Sequence, residues 1–269
     1  MILTTAAVRS LQKLASRQSA TSSTATKAFL TTGGGGASGF DTVGCVGLGL
    51  MGHGICQVAA ASHVHSKVVA YEAEQKFLDS GRDRILKSID KLVEKEKMTM
   101  QFADDTMARI EFTTDIGALA DTDFIVEAII ENMDLKEDLY TALGDMCKPE
   151  TIFASNTSSL SIGEMAAFSG RPQNFVGVHF FNPVQVGTLL MTDLMKLVEV
   201  IKTDLTDPAV FDKCQKWVED IGKIPVSCGD TPGFIVNRLL VPSLMQAMAM
   251  VDRKDASIKD IDVAMKLGA

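Results

Sequence analysis

The stretch from Val43 to Ile55, V-G-C-V-G-L-G-L-M-G-H-G-I, restricts the fold more than any other part of the chain. A short apolar run breaks into glycines and then resumes with helical spacing, which predicts a strand, a tight turn and a helix start. Gly47, Gly49 and Gly52, with Leu48, Leu50 and Met51 between them, match G-x-G-x-x-G. In that pattern the first glycine makes the turn, the second lets the backbone approach a pyrophosphate, and the third lets helix and strand pack closely. The helix N-terminus then presents unpaired N–H groups and a positive dipole end to phosphate. Glycine-rich turns also occur without any phosphate, so the surroundings decide. Lys67 to Tyr71 reads as a second strand, and Glu72 follows Gly52 by twenty residues. An acidic side chain there accepts both ribose hydroxyls of NAD and repels the additional phosphate of NADP.

Strand and helix patterns alternate from residue 41, the mark of a parallel sheet covered on both faces. Strands are predicted near 42–47, 67–71, 110–113, 123–127, 151–155, 174–180, 196–201 and 224–227. The fold class is therefore α/β, a Rossmann-type doubly wound and mainly parallel sheet. Between the second and third strands one long helical stretch is predicted, with Phe77, Ile85, Leu86, Ile89, Leu92 and Val93 as its apolar face. Lys87, Lys91, Lys95 and Lys97 surround that face, which suits either an anionic ligand or a solvated helix carrying Glu–Lys pairs such as Lys91 with Glu94.

Composition narrows the partners. The chain has 269 residues, 46% of them hydrophobic and 22% charged, which suffices for a substantial core. No apolar run approaches bilayer length, so a soluble protein with no membrane span is expected. A net charge of −8 argues against nucleic acid as a general partner. Cys45, Cys56, Cys147, Cys214 and Cys228 are odd in number and scattered, which argues against disulfides and against a metal site. Buried, inert thiols are expected for Cys45 and Cys56.

Both ends differ from the middle. Residues 1–40 contain Arg9, Lys13, Arg17 and Lys27, no acidic residue, many Ser, Thr and Ala, and the tract Gly33 to Gly36. Val8, Leu11 and Leu14 can form an apolar face, so a disordered transit peptide for organelle import is expected, with a disordered tail as the alternative. Asp230 to Phe234 punctuates the other end, with Thr231 as a predicted N-cap and Pro232 in the first helical turn. An all-helical domain is expected to begin at 231 and run to 269, after a nucleotide-binding domain spanning 41–230.

Chemistry needs a base, and the chain has four histidines. His53, His63 and His65 are expected in solvent-facing or capping roles. His179 stands at the C-terminal end of a predicted strand, the edge where open α/β sheets bind ligands. A hydrogen-bonded core histidine would read the same way on its own. Ser155 to Ser159 close the preceding strand at that edge, and Glu199 lies among apolar residues in the next strand. A buried carboxylate requires a partner, and a His179–Glu199 pair supplies one. The imidazole would take a proton while the carboxylate fixes its tautomer, which predicts oxidation of an alcohol with a nicotinamide acceptor.

Several motifs together make the sequence resemble the mitochondrial short-chain L-3-hydroxyacyl-CoA dehydrogenase family. They are G-L-G-L-M-G-H-G-I, E-A-I-I-E-N at 127–132, F-A-S-N-T-S-S-L at 153–160, H-F-F-N-P at 179–183, K-L-V-E-V-I-K at 196–202 and D-T-P-G-F-I-V-N-R-L-L-V-P at 230–242. The resemblance runs from about Thr42 to Ala269. It implies an NAD-binding α/β domain followed by a helical dimerisation domain, a homodimer, a place in the mitochondrial matrix, and oxidation of 3-hydroxyacyl-CoA to 3-ketoacyl-CoA in fatty-acid β-oxidation. Matched residue by residue, it implies His179 as base, Glu199 as its orienting partner, and Ser158 and Asn237 on the substrate oxygen, with Asn182 beside them. Gly47, Leu48, Gly49, Leu50, Met51, Gly52, Glu72, Glu131, Lys136, Ser158 and Asn182 would bind NAD. Ser88, Lys95 and Ser158 would meet the CoA.

The sequence departs from the family pattern at several points. Glu72 stands where the family usually has Asp, and two residues are added around His63 to Ser66. Gly187 to Leu194 reads as an eight-residue insertion between His179 and Glu199. Lengthening a connection costs only about 0.6 kcal/mol per doubling, so a bulged loop with the His–Glu contact kept is expected. The sequence also ends where the family's helical domain has barely begun, which predicts an exposed apolar helix after Phe234 and a poorly held Asn237. Two other readings are an NAD-binding protein without turnover and a β-hydroxyacid dehydrogenase. The H-F-F-N-P and N-T-S-S segments argue against the second.

Overall fold

The computed structural model describes residues 36–185 and 195–268. Its centre is an eight-stranded sheet in the order β3-β2-β1-β4-β5-β6-β7-β8. The strands are β1 (Thr42–Val46), β2 (Lys67–Tyr71), β3 (Ile110–Thr113), β4 (Phe124–Glu127), β5 (Ile152–Ser155), β6 (Phe175–Phe180), β7 (Leu197–Lys202) and β8 (Ile224–Gly229). Every pairing is parallel except β6 with β7. The chain leaves β1 toward β2 and β3, then returns to β4 on the other flank of β1. That reversal opens a crevice at the C-terminal ends of β1 and β4, where the glycine turn lies.

The central strands are buried on both faces, as expected for strands that read as continuous apolar runs, while the edge strand β8 is largely exposed and β3 partly so. On one face Cys45, Ala70, Phe124, Val126 and Val178 pack with Ile55 and Cys56 of α1 (Gly52–Ala61), Ile85 and Ile89 of α2 (Gln75–Glu94) and Trp217 of α6 (Pro208–Asp220). On the other, Val69, Ile125, Phe153 and Phe175 pack with Tyr140 and Leu143 of α4 (Met133–Met146) and Ile162 and Met165 of α5 (Ile162–Phe168). Alternating side chains of single strands feed the two cores, the period of two at work.

The expected single helical excursion is two helices, α2 and α3 (Met100–Ala108). The chain breaks at Glu96, which takes a left-handed φ of 55°, and Thr99 then caps α3 by accepting from the Phe102 N–H. Phe77, assigned to the apolar face, is exposed, while its neighbour Leu78 reaches the core.

The N-terminal boundary also moves. Residues 1–35 of the expected transit peptide lie outside the described residues, but Gly36 to Phe40 are packed rather than disordered. The Ala37 and Ser38 N–H groups donate to the Asp220 carboxylate at 3.0 and 2.9 Å, and the buried Phe40 ring stacks on Phe124 at 4.9 Å. His65, expected to face solvent, is buried, with Nδ1 2.7 Å from the Phe40 carbonyl and Nε2 accepting from the Trp217 indole at 3.1 Å. It joins the segment just before β1 to α6.

The proposed insertion, Gly187 to Leu194, lies outside the described residues, but both of its flanks are fixed. The Lys223 ammonium donates to the Val184 carbonyl at 2.5 Å and to the Met195 carbonyl at 3.0 Å. Burial pushes its pKa down to about 8. With both flanks tied to one cation, β7 enters the sheet in a register that places Glu199 opposite His179.

After β8 come α7 (Val236–Asp252) and α8 (Ile258–Gly268). Neither contains a buried residue. Leu239, Leu240, Leu244, Met245 and Met248 are exposed along α7, as its apolar pattern predicts. Among the described residues no helix is long and apolar enough to cross a membrane.

Candidate active site

Strand pairing creates the reactive pair. His179 near the end of β6 lies opposite Glu199 of β7, and its Nδ1 is 2.7 Å from Glu199 Oε2. Both residues are buried. A carboxylate oxygen can only accept when ionised, so Nδ1 carries the proton and Nε2 is the nitrogen left for chemistry. The Phe181 and Phe234 rings flank the imidazole at 4.4 and 5.6 Å. The predicted contact is present.

The second oxygen of Glu199 does something that sequence reasoning missed. It accepts from the Ile235 and Val236 N–H groups at 3.0 and 2.8 Å. The helix therefore starts at Val236 rather than after a Thr231 cap, and a carboxylate from the neighbouring strand satisfies its first donors. The turn that makes this possible needs left-handed backbone at Gly233 (φ 79°) and Phe234 (φ 49°). Asn237 is thus carried on a helical turn tied directly to the His–Glu pair, not on a loosely held one.

His179 opens into a cleft of about 440 Å³ whose walls include Gly49, Leu50, Met51, Glu131, Ser158, Asn182 and Asn237. Residues far apart in sequence thus meet at one sheet edge. Ser158 and Asn237 also line an adjoining depression beside Pro232 and Arg238. Gly47, Leu48 and Gly52 shape the turn from behind. Gly47 has φ 85°, and a Cβ on Gly52 would collide with the Gly47 carbonyl oxygen. A Cβ on Gly49 would meet nothing within 4 Å, so the turn offers open backbone where a pyrophosphate needs close approach. Glu72 holds the same turn, accepting from the Leu48 N–H at 2.8 Å and the Ala73 N–H at 3.2 Å. Each carboxylate oxygen keeps a second lone pair for a ribose hydroxyl. These residues fit a dinucleotide.

Lys136 is elsewhere than expected. Its side chain is fully buried, paired with Glu127 at 2.5 Å and lying 3.8 Å from Glu131, and it is not among the cleft-lining residues. Glu127, which sequence reasoning left unassigned, is the hub behind the cleft. It accepts from Lys136, from the Tyr140 hydroxyl at 3.0 Å, from the Ser155 hydroxyl at 2.6 Å and from the Ile129 N–H at 2.7 Å. Burial, with Glu127 adding to it, pushes the Tyr140 phenol well above its ordinary value. Glu131 in turn clamps the loop after β5, accepting from the Thr157 hydroxyl at 2.9 Å and the Ser158 N–H at 2.8 Å. Asn156 of the same loop accepts from the Phe180 N–H at 2.9 Å and ties that loop to β6. The signal for Glu127 was present in the sequence: an acidic residue ending an otherwise apolar strand.

Ser88 and Lys95 lie in a separate cleft of about 470 Å³, with Arg84, Lys87, Lys91, Lys97, His53 and Gln185. The four buried cysteines and the half-buried Cys228 are all free thiols. A hydrogen bond with Cys45 and burial push the Cys56 thiol well up, in keeping with an unreactive core residue.

Comparison with known proteins agrees with this geometry. Residues 42–231 match the family model described as 3-hydroxyacyl-CoA dehydrogenase, NAD binding domain, and residues 233–269 match that family's C-terminal domain. The chain is 46% identical to human mitochondrial hydroxyacyl-coenzyme A dehydrogenase, over 83% of this chain and 70% of that protein. It is 37% identical to 3-hydroxybutyryl-CoA dehydrogenase of Mycobacterium tuberculosis, over 84% of this chain and 76% of that one. The crystal structure of (S)-3-hydroxybutyryl-CoA dehydrogenase from Ralstonia eutropha superposes with a TM-score of 0.79 at 36% identity, covering 85% of this chain and 77% of the other. A strand-turn-helix dinucleotide site, a His–Glu pair in the same cleft and matches to both domains of one family lead to one conclusion: this chain belongs to the 3-hydroxyacyl-CoA dehydrogenase family.

Proposed function

We propose that this chain oxidises L-3-hydroxyacyl-CoA to 3-ketoacyl-CoA with NAD in fatty-acid β-oxidation. The observation that carries this reading is the His179–Glu199 pair opening into the cleft that the glycine turn also lines. His179 Nε2 accepts the proton of the substrate 3-hydroxyl, and Glu199 holds the Nδ1 proton and stabilises the imidazolium that results. NAD, when bound, supplies the acceptor for the hydride leaving C3. Ser158 and Asn237 on the cleft wall offer donors to the reacting oxygen, with Asn182 beside them. The glycine turn and Glu72 hold the dinucleotide. Lys136 acts from behind, keeping the Glu127 and Glu131 carboxylates in place rather than touching ligand. Ser88 and Lys95, in the basic cleft, hold the phosphates of CoA.

Residues 41–230 are proposed as the NAD-binding domain and 231–269 as a helical segment that pairs two copies. The exposed apolar side chains of α7 support such pairing. The acid-free N-terminus, rich in Ser, Thr, Arg and Lys, and the mitochondrial relatives in human and rat support import into the mitochondrial matrix.

Reduction of acetoacetyl-CoA by NADH, followed by loss of nicotinamide absorbance, tests the reaction. Turnover well above a blank is expected, with NADH strongly preferred because Glu72 faces the ribose. NADH binding without turnover would make the chain a binder instead, and equal use of NADPH would remove Glu72 from cofactor selection.

A further inference from the structure

The basic cleft contains one group whose charge is not fixed. His53, in the first turn of α1, places Nδ1 2.7 Å from the Gly49 carbonyl and Nε2 2.9 Å from the Gln185 side-chain nitrogen. A carbonyl only accepts, so Nδ1 carries a proton. An amide nitrogen only donates, so Nε2 accepts and the ring is neutral. A half-turn of the Gln185 amide would present its oxygen instead, which pairs equally well with a doubly protonated ring. The site therefore has two self-consistent states that differ by one proton.

The surroundings choose between them. The charged groups that line the cleft with His53 come from α2 and the turn after it: Arg84, which acts on the ring directly, and Lys87, Lys91, Lys95 and Lys97, with no carboxylate among the described lining residues. Arg84 is held close by its bond to the Leu48 carbonyl at 3.2 Å. Burial above all lowers the His53 pKa, the Gly49 bond opposes this, and Arg84 lowers it further. An anion in the cleft offsets those cations and adds a direct attraction for a protonated ring, which works against the burial that favours the neutral one.

We propose that His53 and Gln185 form a proton-linked contact for the anionic part of the substrate: an anion entering the basic cleft draws one proton from solvent onto His53, and the Gln185 amide turns to accept from it. This rests on the reading that the basic cleft holds the CoA phosphates. His53 thus becomes an additional cation only when the ligand is present. Because it also holds the Gly49 carbonyl on the cofactor side, it stands between the two clefts.

The sign follows from linkage. A ligand that raises a pKa binds more tightly as pH falls, so affinity is lost as pH rises through the pKa of the bound state. Between about pH 6 and about pH 9 the wild-type affinity should fall up to about tenfold more than that of H53Q, the change expected when proton and ligand each strengthen the other tenfold. The probe is acetoacetyl-CoA without NADH, titrated calorimetrically in buffers of different ionisation enthalpy. Its own phosphate titration is common to all variants, so the difference between proteins is read.

Wild type should take up a substantial fraction of a proton more than H53Q. Q185E should also lose the excess, because its carboxylate keeps the ring protonated before ligand arrives, and it provides the readout if H53Q does not fold. Equal proton uptake in wild type and these variants, with binding weakened in the K91A/K95A double variant, would overturn the inference and leave the cleft assignment standing. Undiminished binding to K91A/K95A would overturn the cleft assignment itself, and the inference with it.

Discussion

His179→Gln is expected to lower acetoacetyl-CoA reduction by roughly 10²–10⁴-fold, the range for a positioned acid–base group. Glutamine fills a similar volume and can donate to Glu199, so the strand pairing and the tied helix should survive. It has no basic nitrogen to exchange a proton with the substrate oxygen. The loss should therefore fall in kcat, with NADH affinity close to wild type because the glycine turn and Glu72 lie on other elements. Stopped-flow turnover and NADH fluorescence titration separate the two quantities. Near-normal turnover would remove His179 from the mechanism.

The parts of the site that were legible in the sequence are those set by local rules. The turn at Gly47 to Gly52 could be read because its spacing has a backbone reason, and Gly52 does pack against Gly47 so closely that no side chain fits. The His179–Glu199 contact followed from the cost of an unpaired carboxylate in an apolar strand, and the sheet register provides it. What was not legible depends on contacts between distant residues. His65 is buried because Trp217 comes to it from α6, and no local pattern announces that meeting. The resemblance places Lys136 among the NAD-binding residues, and no local pattern announces that its ammonium is buried against Glu127 instead. Thr231 is the right residue type in a plausible place for the cap of the helix after Phe234, but the helix starts at Val236. The actual partner, Glu199, is reached only because Phe234 accepts a left-handed conformation that non-glycine residues rarely adopt.

Glu199 should be the most informative residue to change, because its two oxygens serve different ends. Oε2 orients the base, while Oε1 holds the first N–H groups of the helix that carries Asn237. Glu199→Gln separates these tasks. Its amide oxygen can keep the two helix donors, but its NH₂ group then faces His179 Nδ1 and forces that nitrogen to accept. The ring proton moves to Nε2, where the substrate proton must go. Turnover should fall about as far as in H179Q, since the same carboxylate-to-amide change in a Ser-His-Asp triad costs about 10⁴-fold by the same tautomer error. Folding stability should change little.

Glu199→Ala removes both tasks. Two partly buried N–H donors and the buried imidazole lose their acceptor; a fully buried donor left unpaired costs roughly 1–3 kcal/mol, and a partly buried one less. Urea unfolding should therefore place E199A below E199Q by at least about 1 kcal/mol. Release of the first turn of α7 should also raise KM for acetoacetyl-CoA, because Asn237 is no longer held at the cleft. The two variants thus differ in stability and KM while sharing a low kcat. Normal turnover in E199Q would show that the carboxylate does not set the tautomer. If E199A and E199Q instead matched in stability and KM, the tie between Glu199 and α7 would be dispensable, and the coupling of the base to the helical segment would have to come from other contacts.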